Sequence, residues 1–240
     1  KDNNFVDDNK KINVNMENSD GQHAIDVALL PDIPNKRLII EGLLCRGFYM
    51  NLIENQEQKD VVVKLVELRV FKVAFEITMK LIEKNDYDYA RDIGKVLAEN
   101  GGGEEALKIA MNLIEKNEFY YARDIGKALA ENGGGEEAKE IALKIIEKNE
   151  YYYARDIGAV LAVNRRGEEA KEIAMNLIEK NTFDEVSTIV QALAKNGGLE
   201  EAKEIAMNLI EKNVFNGFST IVRALAENGG EEEAKEIAMN

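Results

Sequence analysis

The chain has little of what breaks helices and little of what carries enzyme chemistry. Proline occurs twice in 240 residues, as Pro31 and Pro34, so beyond that point helix can follow helix without an obligatory break. One cysteine, Cys45, excludes an intramolecular disulfide and fits a reducing compartment. It lies in the apolar run Leu43-Leu44-Cys45, the setting of a buried and inert thiol. The single histidine, His23, stands at the edge of an unpatterned N-terminal stretch and has the character of a solvated or capping residue. Serine occurs only at 19, 187 and 219, none of them in a nucleophile elbow. No Gly-Lys-Ser/Thr follows the glycines, so they form no phosphate cradle. No enzyme activity is expected, no cofactor and no metal. The chain also lacks the run of about 18 apolar residues that a membrane span needs, and no signal peptide is visible. The expected setting is cytoplasmic or another reducing compartment, with delivery into a host cell compatible with the composition.

Basic charge is also short. The formal net charge is −14, which repels nucleic-acid phosphate and anionic membrane unless the cations are gathered on one face. With 45% hydrophobic residues the chain is too apolar for wholesale disorder.

What is present is repetition. Leu-Ile-Glu-Lys-Asn recurs at 81, 113, 177 and 209, with Ile-Ile-Glu-Lys-Asn at 145, each 32 residues after the last. Residues 79–110 and 111–142 agree at 25 of 32 positions, and the full units are 79–110, 111–142, 143–174, 175–206 and 207–238. Each unit reads as two helices. Helix A of the first runs from about Tyr87 to Glu99, with Ala90, Ile93, Gly94, Leu97 and Ala98 on its inner side. Helix B starts near Glu104 and carries Ala106, Ile109, Ala110, Leu113 and Ile114 at i, i+3, i+4, i+7 and i+8, an apolar stripe. Asn100-Gly101-Gly102-Gly103 joins them, Asn and Gly being the residues that accept a left-handed helix end. Glu104 and Glu105 suit the helix N-terminus and Lys116 the C-terminus, before Asn117 ends the element.

Residues 47–78 align with 79–110 without gaps, but Leu68-Arg69-Val70-Phe71 replaces the glycine loop, so one longer helix is the expectation there. The organisation expected is therefore a disordered stretch at 1–21, diverged N-terminal helical capping units at 22–78, and five near-identical helix–turn–helix repeats at 79–240 with the last helix truncated. The fold class is all-α, a right-handed α-solenoid of two-helix, 32-residue tandem repeats.

Leu-Ala-Lys-Asn-Gly-Gly-Leu-Glu-Glu-Ala at 193–202, and the matching stretch at 97–106, resembles the turn and second helix of tetratricopeptide and pentatricopeptide repeats. That resemblance covers about 160 residues and implies a solenoid that binds peptides or proteins in a groove lined by A helices. The segment 98–107 also resembles the loop of TAL-effector DNA-binding repeats, whose residue pair at the Asn-Gly position reads a base while a following Lys-Gln pair helps hold phosphate. The reader positions that this resemblance implies are Asn100 and Gly101, Asn132 and Gly133, Asn164 and Arg165, Asn196 and Gly197, and Asn228 and Gly229. The phosphate-facing pair is here Glu-Glu in every full unit, and the loop is nearly constant while helix A varies. A code needs the reverse, and Glu pairs repel a nucleic-acid backbone.

Helix A varies in two classes. Ala-Arg-Asp-Ile-Gly occupies 90–94, 122–126 and 154–158, whereas Ser-Thr-Ile-Val occupies 187–190 and 219–222. In the first class the residues at i, i+3 and i+7 line one face and gather Arg91 and Lys95, then Tyr120, Arg123 and Lys127, then Tyr152 and Arg155. These seven are the candidate partner-binding residues, because Arg and Tyr are the types that anchor interfaces. The alternative for the arginines is a structural ladder in which Arg91, Arg123 and Arg155 pair with Asp92, Asp124 or Asp156 of a neighbouring unit. Tyr89, Tyr121 and Tyr153 are expected to lean between units. The leading reading is a binding scaffold or adaptor for a protein or peptide, acidic or phosphorylated segments being the natural partners of such a ridge. The alternatives are a TAL-like nucleic-acid-binding array and a structural array of a secreted bacterial effector.

Overall fold

A computed structural model describes residues 57–212, 214 and 218–239. The expectations for 1–21 and for His23, Pro31, Pro34 and Cys45 lie outside these residues. Among the described residues there are twelve helices and no strand: α1 (Glu57–Glu67), α2 (Phe71–Glu83), α3 (Tyr87–Glu99), α4 (Gly103–Glu115), α5 (Phe119–Glu131), α6 (Gly135–Glu147), α7 (Tyr151–Val163), α8 (Gly167–Glu179), α9 (Phe183–Lys195), α10 (Leu199–Glu211), α11 (Phe218–Glu227) and α12 (Glu231–Met239). The chain divides into two units, Lys1–Asn85 and Asp86–Asn240.

In the first unit the expected long helix is two helices. The chain turns at Leu68-Arg69-Val70, with Arg69 at φ 59°. Its N–H donates to the Val66 carbonyl at 2.8 Å, and the Val70 N–H donates to the Leu65 carbonyl at 2.9 Å. This is the paired closure of a left-handed helix end, made without glycine. Val70 is buried at 4% exposure beside Leu65 and Val66, and that apolar contact offsets the steric cost of a left-handed arginine.

The second unit repeats the same device twice per period. From α3 to α10 every helix is 13 residues long. After helix B the left-handed residue is asparagine: Asn117 lies at φ 63°, Asn149 at 66° and Asn181 at 60°. The Asn117 N–H donates to the Ile114 carbonyl, and the Glu118 N–H donates to the Leu113 carbonyl, both at 2.9 Å. After helix A the residue is glycine, with Gly101, Gly133, Gly197 and Gly229 at φ 86° to 93°. Asn100 stays on the right-handed side at φ −106°. Its side-chain amide instead donates to the Val96 carbonyl at 2.8 Å, satisfying an orphan acceptor of the last turn.

Within this unit each A helix packs on its own B helix, successive A helices pack on one another, and α5, α7, α9 and α11 also pack on the preceding B helix, which makes an all-α repeat solenoid. The core is the expected stripe repeated: Ile93, Leu97, Ile109, Leu113 and Ile114 are at most 1% exposed, as are Ile125, Leu129, Ile141, Ile157 and Ile173. Each such side chain contributes roughly 1.5–3 kcal/mol by leaving water. Successive A helices approach closely because of one small residue. A Cβ at Gly126 would stand 2.7 Å from Ile157 Cδ1 and 3.3 Å from Ile141 Cγ2, so glycine is what lets the next helix seat there.

The third unit breaks the pattern, placing Arg165 at φ 60° where the others have glycine. Nothing lies within 4 Å of a Cβ built on Gly133, so a side chain there costs only backbone strain. Gly133→Val should destabilise the array, and Arg165→Gly should stabilise it, each by about 1 kcal/mol. Urea midpoints of the two variants should move in opposite directions; shifts of the same sign would show that contacts rather than backbone conformation decide these positions.

Candidate binding surface

The in-phase stacking of A helices brings their solvent faces side by side. On α3 this face carries Asp88, Arg91, Asp92, Lys95 and Glu99; on α5 Tyr120, Arg123, Asp124, Lys127 and Glu131; and on α7 Tyr152, Arg155, Asp156, Ala159 and Val163.

The three arginines are held fast. Arg91 donates from Nε and Nη2 to Asp92 Oδ1 at 2.9 and 2.8 Å, and its Nη1 is 3.2 Å from Asp88 Oδ1. Arg123 donates from Nε and Nη2 to Asp124 Oδ1 at 3.1 and 2.8 Å, and from Nη1 to Asp156 Oδ2 of the next unit at 3.4 Å. Arg155 donates from Nε and Nη2 to Asp156 Oδ1 at 3.2 and 2.7 Å. Each guanidinium also lies over rings. Arg123 is 4.5 Å from the Tyr120 centroid and 5.6 Å from that of Tyr153, Arg91 is 5.6 Å from Tyr121, and Arg155 is 3.9 Å from Tyr152. Stacking on a ring face is attractive for a cation and leaves the planar fork free to meet carboxylates in its own plane. The arginine side chains are only 14–21% exposed.

The tyrosines form the other half of the ridge. Tyr120 meets Tyr121 edge-on at 5.4 Å, and Tyr152 meets Tyr153 edge-on at 5.7 Å. Tyr121 and Tyr153 are half-buried between units, as expected, and Tyr121 reaches Tyr87 at 6.1 Å and the Asp88 carboxylate at 3.5 Å. Tyr120 and Tyr152 are 46% and 53% exposed, and Val163 is 54% exposed. Lys95 and Lys127 lie half-buried on the same face, without an ion pair among the described residues. The fixed arginines and the open tyrosines are thus distinct in role.

The B helices carry a second ladder, which the sequence reading missed. Lys139 pairs with Glu136 at 2.7 Å and Glu172 at 2.9 Å, Lys171 with Glu168 and Glu204, and Lys203 with Glu236. Hydrogen bonds to Glu136 and Glu172 push the Lys139 ammonium up to about 12, and bonds to Glu168 and Glu204 do the same for Lys171. The signal was in the sequence as Lys139, Lys171 and Lys203 at the repeat period, each facing a glutamate of the following unit.

The loop residues are engaged in capping. The side-chain amides of Asn132, Asn164, Asn196 and Asn228 donate to the Ala128, Val160, Ala192 and Ala224 carbonyls at 2.7–2.9 Å. Glu104, Glu136 and Glu168, which begin the paired glutamates, are 73–75% exposed. A shallow cleft of about 330 Å³ between the third and fourth units is lined by Ala162, Arg165, Gly167, Leu193, Asn196, Gly197, Gly198 and Glu201. Among the described residues no group of three or more His, Cys, Asp or Glu side chains is placed to hold a metal ion. None of the helices among them is long and apolar enough to cross a membrane.

Comparison with protein-family models, with curated proteins and with solved structures finds no match.

Arg123 is the most enclosed of the three arginines, at 14% exposure with two carboxylates and two rings around it. Arg123→Lys keeps the charge but loses the fork and the stacked plane, so it should cost about 1–2 kcal/mol. Arg91→Lys should cost less, because Asp88 and Asp92 are well exposed and exposed pairs contribute about 0–1 kcal/mol. Urea denaturation followed by circular dichroism tests the order; equal costs would mean that the tighter enclosure of Arg123 by carboxylates and rings adds nothing.

Proposed function

We propose that the chain is a non-enzymatic scaffold that holds a protein or peptide partner along the A-helix face of α3, α5 and α7. The observation that carries this reading is the exposure of Tyr120, Tyr152 and Val163 on a face whose arginines are held in place by carboxylates and rings. Rigid aromatic side chains lose little conformational freedom on binding, and they dominate the energy of protein interfaces. The likeness of the turn and second helix to tetratricopeptide and pentatricopeptide repeats supports the same face, since in that architecture the A helices line the groove.

A TAL-like reading of nucleic acid has less in its favour. The asparagine amides that would face a base are spent on helix carbonyls, and Glu104, Glu136 and Glu168 stand where phosphate would approach.

Site-specific photo-crosslinking tests the scaffold reading. p-Benzoylphenylalanine placed at Tyr120 or Tyr152 should capture a discrete partner from lysate of the source cell or its host. The same group at Met111 or Met175, on the B helices, should not. Capture from the B-helix positions alone would overturn the assignment of the face, and absence of discrete products from either face would overturn the scaffold reading.

A further inference from the structure

The arginine ladder stops inside the array, and its last rung is open. Around Arg123, the next unit supplies two groups: the Tyr153 ring at 5.6 Å and the Asp156 carboxylate, which accepts from Nη1 at 3.4 Å. One period later those positions are Glu185 and Thr188. Arg155 therefore keeps its own Tyr152 and its own Asp156. Among the described residues, however, no second carboxylate reaches its Nη1 as Asp156 reaches that of Arg123. Asp156 is also shared, its Oδ1 taken by Arg155 and its Oδ2 by Arg123. The open donor adjoins Tyr152, 53% exposed, and Val163, 54% exposed, stands about two turns beyond Arg155 on the same helix with Ala159 between them.

Resting on the scaffold reading above, we infer that Tyr152 and Arg155 form the anchoring subsite of this face. Its occupant is a peptide segment with one carboxylate side chain beside an aromatic or apolar one. The carboxylate takes the place that Asp156 fills for Arg123, accepting from Arg155 Nη1 in the plane of the guanidinium. The neighbouring apolar side chain covers Tyr152, while Val163, about 16 Å further along the same helix, is left to a more distant residue of the segment. A single carboxylate suits the site better than a phosphate dianion, because Asp156 is in contact with Arg155 and Asp184 and Glu185 open the next A helix. A second negative charge would face three carboxylates on a chain of net −14.

The test uses fluorescence anisotropy of a labelled, end-blocked peptide with the core Tyr-Glu-Tyr, against its Tyr-Gln-Tyr counterpart. The parent chain should prefer the glutamate peptide by about tenfold, the scale of one charge-assisted hydrogen bond. That margin should vanish in Arg155→Ala. It should also vanish in Thr188→Asp, which returns to the array the carboxylate it lacks and should raise the thermal midpoint, a sign that the fold is intact and the rung filled. Lys108→Ala, which removes one exposed cation from a B helix outside this face, should keep the margin. Equal binding of the two peptides to the parent chain, or a margin that survives in Arg155→Ala, overturns the proposal. Failure here with continued crosslinking at Tyr120 would leave the scaffold reading standing, whereas loss of crosslinking with the peptide margin intact would remove only the wider reading.

Discussion

Folding a helix back on its successor within three residues leaves no slack, and the whole array depends on meeting that demand twice in every 32 residues. The residue after the helix cap must be left-handed, so that the next two N–H groups can turn back to the carbonyls of the last turn. Glycine does this without steric cost after helix A, and asparagine does it after helix B. The turn ends in the residue that starts the next helix, so its length also sets the rotation of that helix. A longer or looser turn would let successive A helices drift out of phase. The in-phase stack of Ile125, Ile157 and Ile189 against Gly94, Gly126 and Gly158 would then be lost.

The surface inherits that phase. Tyr121 reaches Asp88, Arg123 reaches Asp156, Lys148 reaches Glu115, Arg166 reaches the Gly133 carbonyl and Lys171 reaches Glu204, and every one of these bonds spans 33 residues. The common separation, one beyond the period, means that neighbouring units are offset by the same small step throughout. Individually such exposed pairs contribute little. Repeated at a fixed offset, they penalise any slip between units, because a slip breaks all rungs at once. The ladders therefore act on register more than on total stability.

Much of this was legible in the sequence. The bounds of α3 followed from the spacing of Ala90, Ile93, Leu97 and Ala98, and the core stripe of helix B followed from Ala106, Ile109, Leu113 and Ile114. The turn at Leu68-Arg69-Val70 was not legible. No residue there prefers the left-handed region, and burial of Val70 against the end of α1 decides it. The division of labour at Asn100 and Gly101 was hidden for a related reason, since both residues accept the same backbone conformation and only the carbonyl of Val96 distinguishes them. An Arg–Asp ladder was legible as the alternative for the arginines, but not its form, in which, among the described residues, only Arg123 reaches an aspartate of the neighbouring unit. Adjacent residues on a helix do not face each other, yet the long side chains of Arg91, Arg123 and Arg155 bend back to the very next aspartate. Each guanidinium also lies over a tyrosine ring, three residues back on the same helix for Arg123 and Arg155 and in the next unit for Arg91 and Arg123.

A perfectly periodic array would offer the same surface at every step, and a partner could bind it in several registers of equal energy. Here the A-helix class changes after the third unit, from Ala-Arg-Asp-Ile-Gly to Ser-Thr-Ile-Val. The core tolerates the change, with Val186, Ile189 and Val190 fully buried. On the surface the same change removes the ring and carboxylate that would have closed the ladder over Arg155. Since Tyr152 and Val163 sit on the helix just before the break, the arginine that lacks a second carboxylate and two exposed apolar side chains fall on the same helix. A partner that needs both can dock in only one register, and the irregularity rather than the repeat is what defines its place on the array.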